Sequence, residues 1–434
     1  MRKILITILL LGLLSAHADT IPIDYRLSLR GGAIMPDGKV DVMLGQKNQW
    51  TPSVGAELAV SFHPEWQALR DWNNAAIGVA LSYWKLDATR NGDNDLLGHA
   101  IAPYVFLEVP FYKSKHFEIG VRPGIGCSFI TKTYFNTATP EQQYQVLQAP
   151  NINRSVGSVF NFYFPEALYC AFPIRNGWSV NIAAGWYHMS NGSLRQPNSG
   201  YNIFSGEVAV RYSPLTTHHS PLTTHHSLLT TQDSLLTTQY SLLTTRKKWA
   251  LELAFTGGGR QVYYRDKQTF FCSTMQLSAY WLAHPIFRLG GGVDVFYDGA
   301  YAERDTYYKK TYLGGATQAD CWRVGVSVQP EFVIGQFTAG IHFGVYLYDP
   351  IKNREVESGS EAHSSLWEKG ELLDKGVFYA YDLLNAGSAG YPDGWLYTQI
   401  VLRYHLPYHL FVQASMKAHL TKVEFVSAGL GVYI

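Results

Sequence analysis

The stretch WRVGVSVQPEFVIGQFTAGIHFGVYL, residues 322–347, decides the fold class. Trp322, Val324, Val326, Val328, Phe332 and Ile334 fall on one side of an extended chain, and Arg323, Gly325, Ser327, Gln329 and Glu331 on the other. Gly335-Gln336 makes a tight turn. The alternation then resumes, with Phe337, Ala339, Ile341, Phe343, Val345 and Leu347 against Thr338, Gly340, His342, Gly344 and Tyr346. A period of two marks strands with one apolar face. Each arm is long enough to cross hydrocarbon, which takes about 9–11 tilted residues. The other face mixes small and charged side chains, which suits the inside of a barrel.

Working outward, the same reading gives sixteen strands. Eight precede residue 213, near 24–32, 54–64, 75–85, 99–110, 117–131, 159–172, 178–190 and 201–212. Eight follow, near 248–257, 273–283, 286–298, 322–334, 337–348, 396–406, 408–418 and 423–434. Short links such as Arg175-Asn176-Gly177 and Ala283-His284-Pro285 alternate with long ones such as 132–158, 299–321 and 349–395. Short turns at one end and long loops at the other are the outer-membrane arrangement, and an even strand number puts both termini on the periplasmic side. The expected fold is therefore all-β, a transmembrane antiparallel β-barrel. Strand count alone leaves one large barrel or two smaller ones open.

Composition agrees. Of 434 residues, 14% are aromatic and only 16% charged, against about 25% charged in an ordinary soluble domain. A formal net charge of +1 supplies no field to recruit phosphates, so nucleic acid is not an expected partner. Beyond residue 20 no apolar run approaches the roughly 18 residues of a membrane helix.

Residues 1–18 read as a cleaved signal peptide: Arg2 and Lys3, the apolar run Ile4 to Leu14, then Ala16-His17-Ala18. The cysteines Cys127, Cys170, Cys272 and Cys321 are scattered without metal-ligand spacing, so no metal or cofactor is expected. Residues 213–247 are five copies of a seven-residue unit, from Ser213-Pro214-Leu215-Thr216-Thr217-His218-His219 to Ser241-Leu242-Leu243-Thr244-Thr245-Arg246-Lys247. They read as a repeat tolerated in an exposed connection. The expected organisation is a signal peptide (1–18), a first barrel half (19–212), the repeat insert (213–247) and a second barrel half (248–434).

Chemistry concentrates between Trp178 and Tyr212. Trp178, Val180, Ile182, Ala184 and Trp186 form an apolar face that must look at lipid, and the same parity carries His188 and Ser190. A His-x-Ser pair sets an imidazole beside a hydroxyl, the minimum for a base-activated nucleophile. Facing outward at headgroup level, it can serve only a substrate that lies in the membrane. The segment His188-Met189-Ser190-Asn191-Gly192, followed by Pro197-Asn198-Ser199-Gly200, resembles the signature of the outer-membrane lipid A 3-O-deacylase (acyloxyacyl hydrolase) family. The likeness is sharp over 188–202 and general over the first eight strands. The second half resembles the extra C-terminal region of longer members, notably in Lys417-Ala418-His419 through Glu424-Phe425.

The resemblance implies an eight-stranded barrel whose site faces the outer leaflet and removes an ester-linked acyl chain from lipid A. It makes Ser190 the nucleophile and His188 its general base. Asn198, with a backbone amide near Asn191-Gly192, stabilises the oxyanion, and Arg195 in the same loop is placed to meet the substrate. The carboxylate that orients the histidine in the family falls here on Asn202. That amide can accept from the imidazole but cannot balance a positive charge. Glu207 has lumen parity, and Glu166, paired across the Arg175-Asn176-Gly177 turn, falls opposite Ala184, roughly 13 Å along the strand from His188 at 3.3 Å per residue. Lys417, His419, Lys422 and Glu424 form a second candidate cluster, for lipid phosphate or surface anchoring. The competing reading is a non-enzymatic outer-membrane barrel, a channel or a structural porin-like protein, favoured if all sixteen strands enclose one water-filled lumen.

Overall fold

The computed structural model describes residues 21–36, 44, 49–139, 152–153, 155–214, 249–261, 268–284, 286–303, 318–349, 396–419 and 422–434. The expected signal peptide and all but the first two residues of the repeat lie outside them.

Every expected strand forms. β1 (Ile23–Ile34), β2 (Thr51–Phe62), β3 (Ala76–Lys85) and β4 (His99–Lys113) are followed by β5 (Glu118–Ile130), β6 (Phe160–Arg175), β7 (Trp178–Ser190) and β8 (Tyr201–Tyr212). β9 (Trp249–Arg260), β10 (Phe270–His284), β11 (Phe287–Asp298) and β12 (Trp322–Ile334) come next. β13 (Phe337–Tyr348), β14 (Leu396–Leu406), β15 (Leu410–His419) and β16 (Lys422–Tyr433) complete the set. All pairings are antiparallel between neighbours, and the chain closes twice: β8 returns to β1, and β16 to β9. The fold is two closed eight-stranded barrels.

In the first barrel the polar parity turns inward and pairs with itself. Arg26 reaches Glu108 at 2.8 Å, Arg30 reaches Glu207 at 2.9 Å, and Arg122 reaches Glu207 at 3.1 Å. Arg211 binds Glu108 at 2.7 Å, and the Tyr104 hydroxyl donates to Glu57 at 2.6 Å. Aromatic rings fill the rest: Trp84, Tyr104, Phe106, Tyr163 and Tyr187 are buried, and the Arg30 guanidinium lies 4.7 Å from the Tyr187 ring centre. The opposite parity, including Leu27, Leu29, Leu58, Leu81, Ile182 and Val208, is exposed. An eight-stranded barrel is just wide enough for side chains to fill, and this lumen is filled.

The second barrel obeys the same rule with other residues. Arg288 and Arg403 bind Glu331, whose carboxylate also meets His342 at 2.7 Å. Nearer the long-loop end, Arg260 meets Asp298 at 2.6 Å, and Lys417 is ion-paired with Glu424. Lys417 and Glu424 are both buried, which corrects their expected place in a surface cluster. Their parity aims them into the lumen, where an isolated charge would be costly. The side chains of His419 and Lys422 lie outside the description. Cys127, Cys170 and Cys272 are free thiols.

Removing one carboxylate from the first lumen leaves buried guanidinium groups short of a partner. Glu207→Ala should lower unfolding stability by about 3–5 kcal/mol, read as an earlier urea midpoint, whereas Glu166→Ala on the outer wall should leave the midpoint unchanged.

Candidate active site

β7 and β8 are a hairpin pair whose register sets the site. His188 pairs directly with Asn202, Trp186 with Phe204 and Ala184 with Gly206. Asn202 is thus directly opposite His188, one pair from Met189–Tyr201 at the end of the ladder. His188 Nδ1 lies 2.8 Å from Asn202 Oδ1, and the Trp186 Nε1–H donates to that same oxygen at 3.2 Å. The imidazole is stacked between two rings: Trp186 at 5.7 Å and Phe164 at 6.3 Å between centroids, each at 28°. Phe164 is there because β6 pairs it with His188.

Trp186 is 39% exposed whereas His188 is 8% and Ser190 2%. The three share one outward parity, so the site begins at the lipid-facing wall and is covered where β7 runs into its loop. Ser190 Oγ donates to Asn198 Oδ1 at 3.1 Å, and the Asn191 backbone N–H donates to the same oxygen at 3.0 Å. The Asn191 amide, expected to face an oxyanion, is engaged by Asn198 instead. Arg195 is exposed in the loop between β7 and β8.

Two features hold the Asn198 segment in place. A short bridge pairs Val156 with Asn198, and the backbone N–H groups of Ser199 and Gly200 both donate to Ser155 O, at 2.8 and 3.0 Å. Asn153 steadies the Ser155 side. Its Oδ1 accepts from Ser155 N, and its Nδ2 donates to Lys132 O and to the Tyr201 hydroxyl, both at 2.8 Å. Gly200 then returns the chain to β8 with φ of +72°, a conformation that favours glycine. A Cβ there would collide with Met189 O and stand 3.1 Å from Ser190 Cβ and 3.3 Å from His188 Cε1.

The two carboxylates weighed from the sequence fare differently. Glu207 is buried in the lumen with Arg30 and Arg122, as its parity requires. Glu166 pairs with Trp186, not Ala184. From Pro173–Ser179 to Phe162–Ser190 the ladder is regular, with a one-residue shift between Pro173 and Arg175, and it sets Glu166 two residues nearer His188 than expected. The separation from His188 therefore falls to roughly 7 Å along the strand at 3.3 Å per residue. Asn202, not Glu166, occupies His188 Nδ1.

Below the site, Ala184, Gly185, Trp186, Phe204, Ser205 and Gly206 line an open groove of about 560 Å³ on the outer wall. Small residues on paired strands make its floor, and the aromatic pair Trp186 and Phe204 stands between it and His188. Sequence reading missed three contributors: the Trp186 bond to Asn202, the Asn153–Val156 support and the role of Gly200. The parity of Trp186 was a visible signal, but its bond needs the cross-strand register. Among the described residues no cluster of His, Cys, Asp and Glu is arranged to hold a metal.

Closed antiparallel barrels with a packed polar interior and an apolar outer wall define an outer-membrane β-barrel protein. Two family models match in succession, together spanning more than half of the chain: "Lipid A 3-O-deacylase (PagL)" over residues 54–211 and "Acyloxyacyl hydrolase, C-terminal domain" over 249–357. The chain belongs to the lipid A 3-O-deacylase (PagL) family. Similar solved structures include the outer membrane enzyme PagL, 20% identical, covering 42% of this chain and 97% of that one with a TM-score of 0.26. Neisserial surface protein A is 10% identical and covers 44% of this chain and 96% of its own, also at 0.26. A Rh. blastica porin mutant, 8% identical, covers 96% and 99% at a TM-score of 0.15. No curated protein matches the chain.

Gly200→Ala should keep a folded, heat-modifiable barrel but lower ester hydrolysis about a hundredfold, the cost of a displacement near 1 Å in a reacting site. Gel mobility and hydrolysis of a chromogenic ester measure the two separately.

Proposed function

We propose that this protein is an outer-membrane lipid A deacylase that hydrolyses an ester-linked acyl chain from the outer leaflet with a Ser190–His188 site. The observation that carries the reading is the hydrogen-bonded His188–Asn202 pair on the lipid-facing parity of β7, with Ser190 two residues further on. The activity for which the family is named supports the substrate class.

In this reading the acyl chain enters along the groove between β7 and β8. Ser190 rotates from Asn198 toward His188 Nε2, and its Oγ attacks the ester carbonyl while the imidazole takes the proton. Asn198 Oδ1 already accepts from Ser190 and Asn191, so its Nδ2 is turned the other way. We assign that amide as the donor to the oxyanion, a role worth roughly 10²–10³ in turnover elsewhere. Collapse expels the sugar alkoxide, which takes its proton from His188. Water, deprotonated by the same histidine, then releases the fatty acid and restores Ser190. Arg195, exposed in the adjoining loop, is assigned to the anionic headgroup. No cofactor or metal enters any step. The signal peptide of residues 1–18 exports the chain across the inner membrane and is removed, and the two barrels, joined by the repeat, are its folding units.

Asn202 is neutral, so the imidazolium formed in the first step has no adjacent counter-charge. In a soluble triad, exchanging the acid for its amide costs about 10⁴, largely through the wrong tautomer. Asn202→Glu should raise turnover on a lipid A-like ester by about tenfold to a hundredfold, a gain within that limit. An unchanged rate would mean that another group supports His188. Ser190→Ala should abolish release in the same assay, and continued release would overturn the site.

The porin-like alternative needs an open lumen, whereas both barrels are filled by ion pairs and aromatic side chains.

A further inference from the structure

We infer that Trp186 takes over part of the work of the missing carboxylate, by fixing the amide of Asn202 so that His188 keeps its proton on Nδ1. The inference deepens the esterase reading and rests on it only for its kinetic consequence.

An asparagine beside a histidine is ambiguous. Its Oδ1 can accept from Nδ1–H, or its Nδ2 can donate to a bare Nδ1. The second arrangement puts the ring proton on Nε2, the nitrogen that must be free to take a proton from Ser190. A glutamate has no such ambiguity because both of its oxygens accept. The same amide oxygen that faces His188 Nδ1 at 2.8 Å receives the Trp186 Nε1–H at 3.2 Å. An indole nitrogen only donates. It therefore selects the orientation in which Oδ1 points toward Trp186 and His188 together. The two lone pairs of that oxygen serve both donors, and the imidazole is left with its proton on Nδ1 and its lone pair on Nε2.

The position of Trp186 makes this possible. It is one pair below His188 on the same parity, its ring stacked on the imidazole, and Phe204 rather than a polar residue lies opposite it. At this lipid-facing wall water offers little competition for the indole N–H, so the bond to Asn202 is its natural outlet. Trp186 touches neither substrate carbonyl nor nucleophile. It is a positioning residue.

Trp186→Phe keeps a stacking ring and an apolar groove wall while removing the single donor. The test is ¹⁵N-histidine NMR of the full chain in lipid nanodiscs, with the His188 signals identified by their loss in His188→Gln. The protein as it stands should show one tautomer, with a protonated Nδ1 and a bare Nε2. In Trp186→Phe the two ring nitrogen shifts should move toward one another, as the tautomers mix. In the kinetic arm, Trp186→Phe should lower kcat about tenfold at unchanged KM. In the Asn202→Glu background, where no amide needs orienting, the same change should cost less than about twofold. A single unchanged tautomer in Trp186→Phe would overturn the inference, as would an equal kinetic loss in both backgrounds. A protein that releases no acyl chain, with the tautomer shift still seen on going to Trp186→Phe, would count against the esterase reading and leave the inference standing.

Discussion

Hydrocarbon offers a backbone N–H nothing to bond with, and that constraint organises everything else in this chain. Each strand that crosses the membrane must be paired on both edges, so the sheet has to close. Closure at eight strands leaves an interior only as wide as the side chains that occupy it. Alternate residues are therefore committed either to a dry, packed lumen or to lipid. Arg30, Arg122 and Glu207 satisfy one another inside, and Leu29, Ile182 and Val208 stand outside. The site inherits this division. His188, Ser190 and Asn202 have lipid parity, whereas Glu207, a few residues along the same hairpin, is held in a buried ion-pair network.

Much of this was legible because a period of two survives in the sequence regardless of register. The alternation over 322–347 gives β12 and β13 with their ends in place, and the same reading locates the other strands within a few residues. Parity also separated Glu207 from His188. Closure was not legible, since neither arm of that stretch records which distant strand it meets. One lumen or two turned on the pairing of β8 with β1. Register was the other gap. The expected partner of Glu166, Ala184, lies two residues from the one the ladder sets, Trp186, because the pairing stays regular from Pro173–Ser179 to Phe162–Ser190 and shifts by only one residue at the turn. Lys417 and Glu424 were misread because nearness to a surface turn outweighed their inward parity.

The site itself was visible as a list of residues but not as a set of bonds. His188, Ser190, Asn198 and Asn202 are brought together, with Asn202 on the imidazole and Asn198 on the serine. Both asparagines are held by a second donor, the Trp186 indole for one and the Asn191 amide for the other. Each amide is oriented by a neighbour rather than by its own charge. That is the physical difference between this arrangement and one built on a carboxylate, and it predicts a slower enzyme of the same kind rather than a different chemistry.

The most direct measurement of the central claim is mass spectrometry of lipid A from isogenic Gram-negative cells with and without the full-length protein. The account predicts a new lipid A species lighter by one ester-linked acyl chain, with the matching free fatty acid, only where the protein is made. Identical lipid A in both, with the barrel folded in the outer membrane, would contradict it.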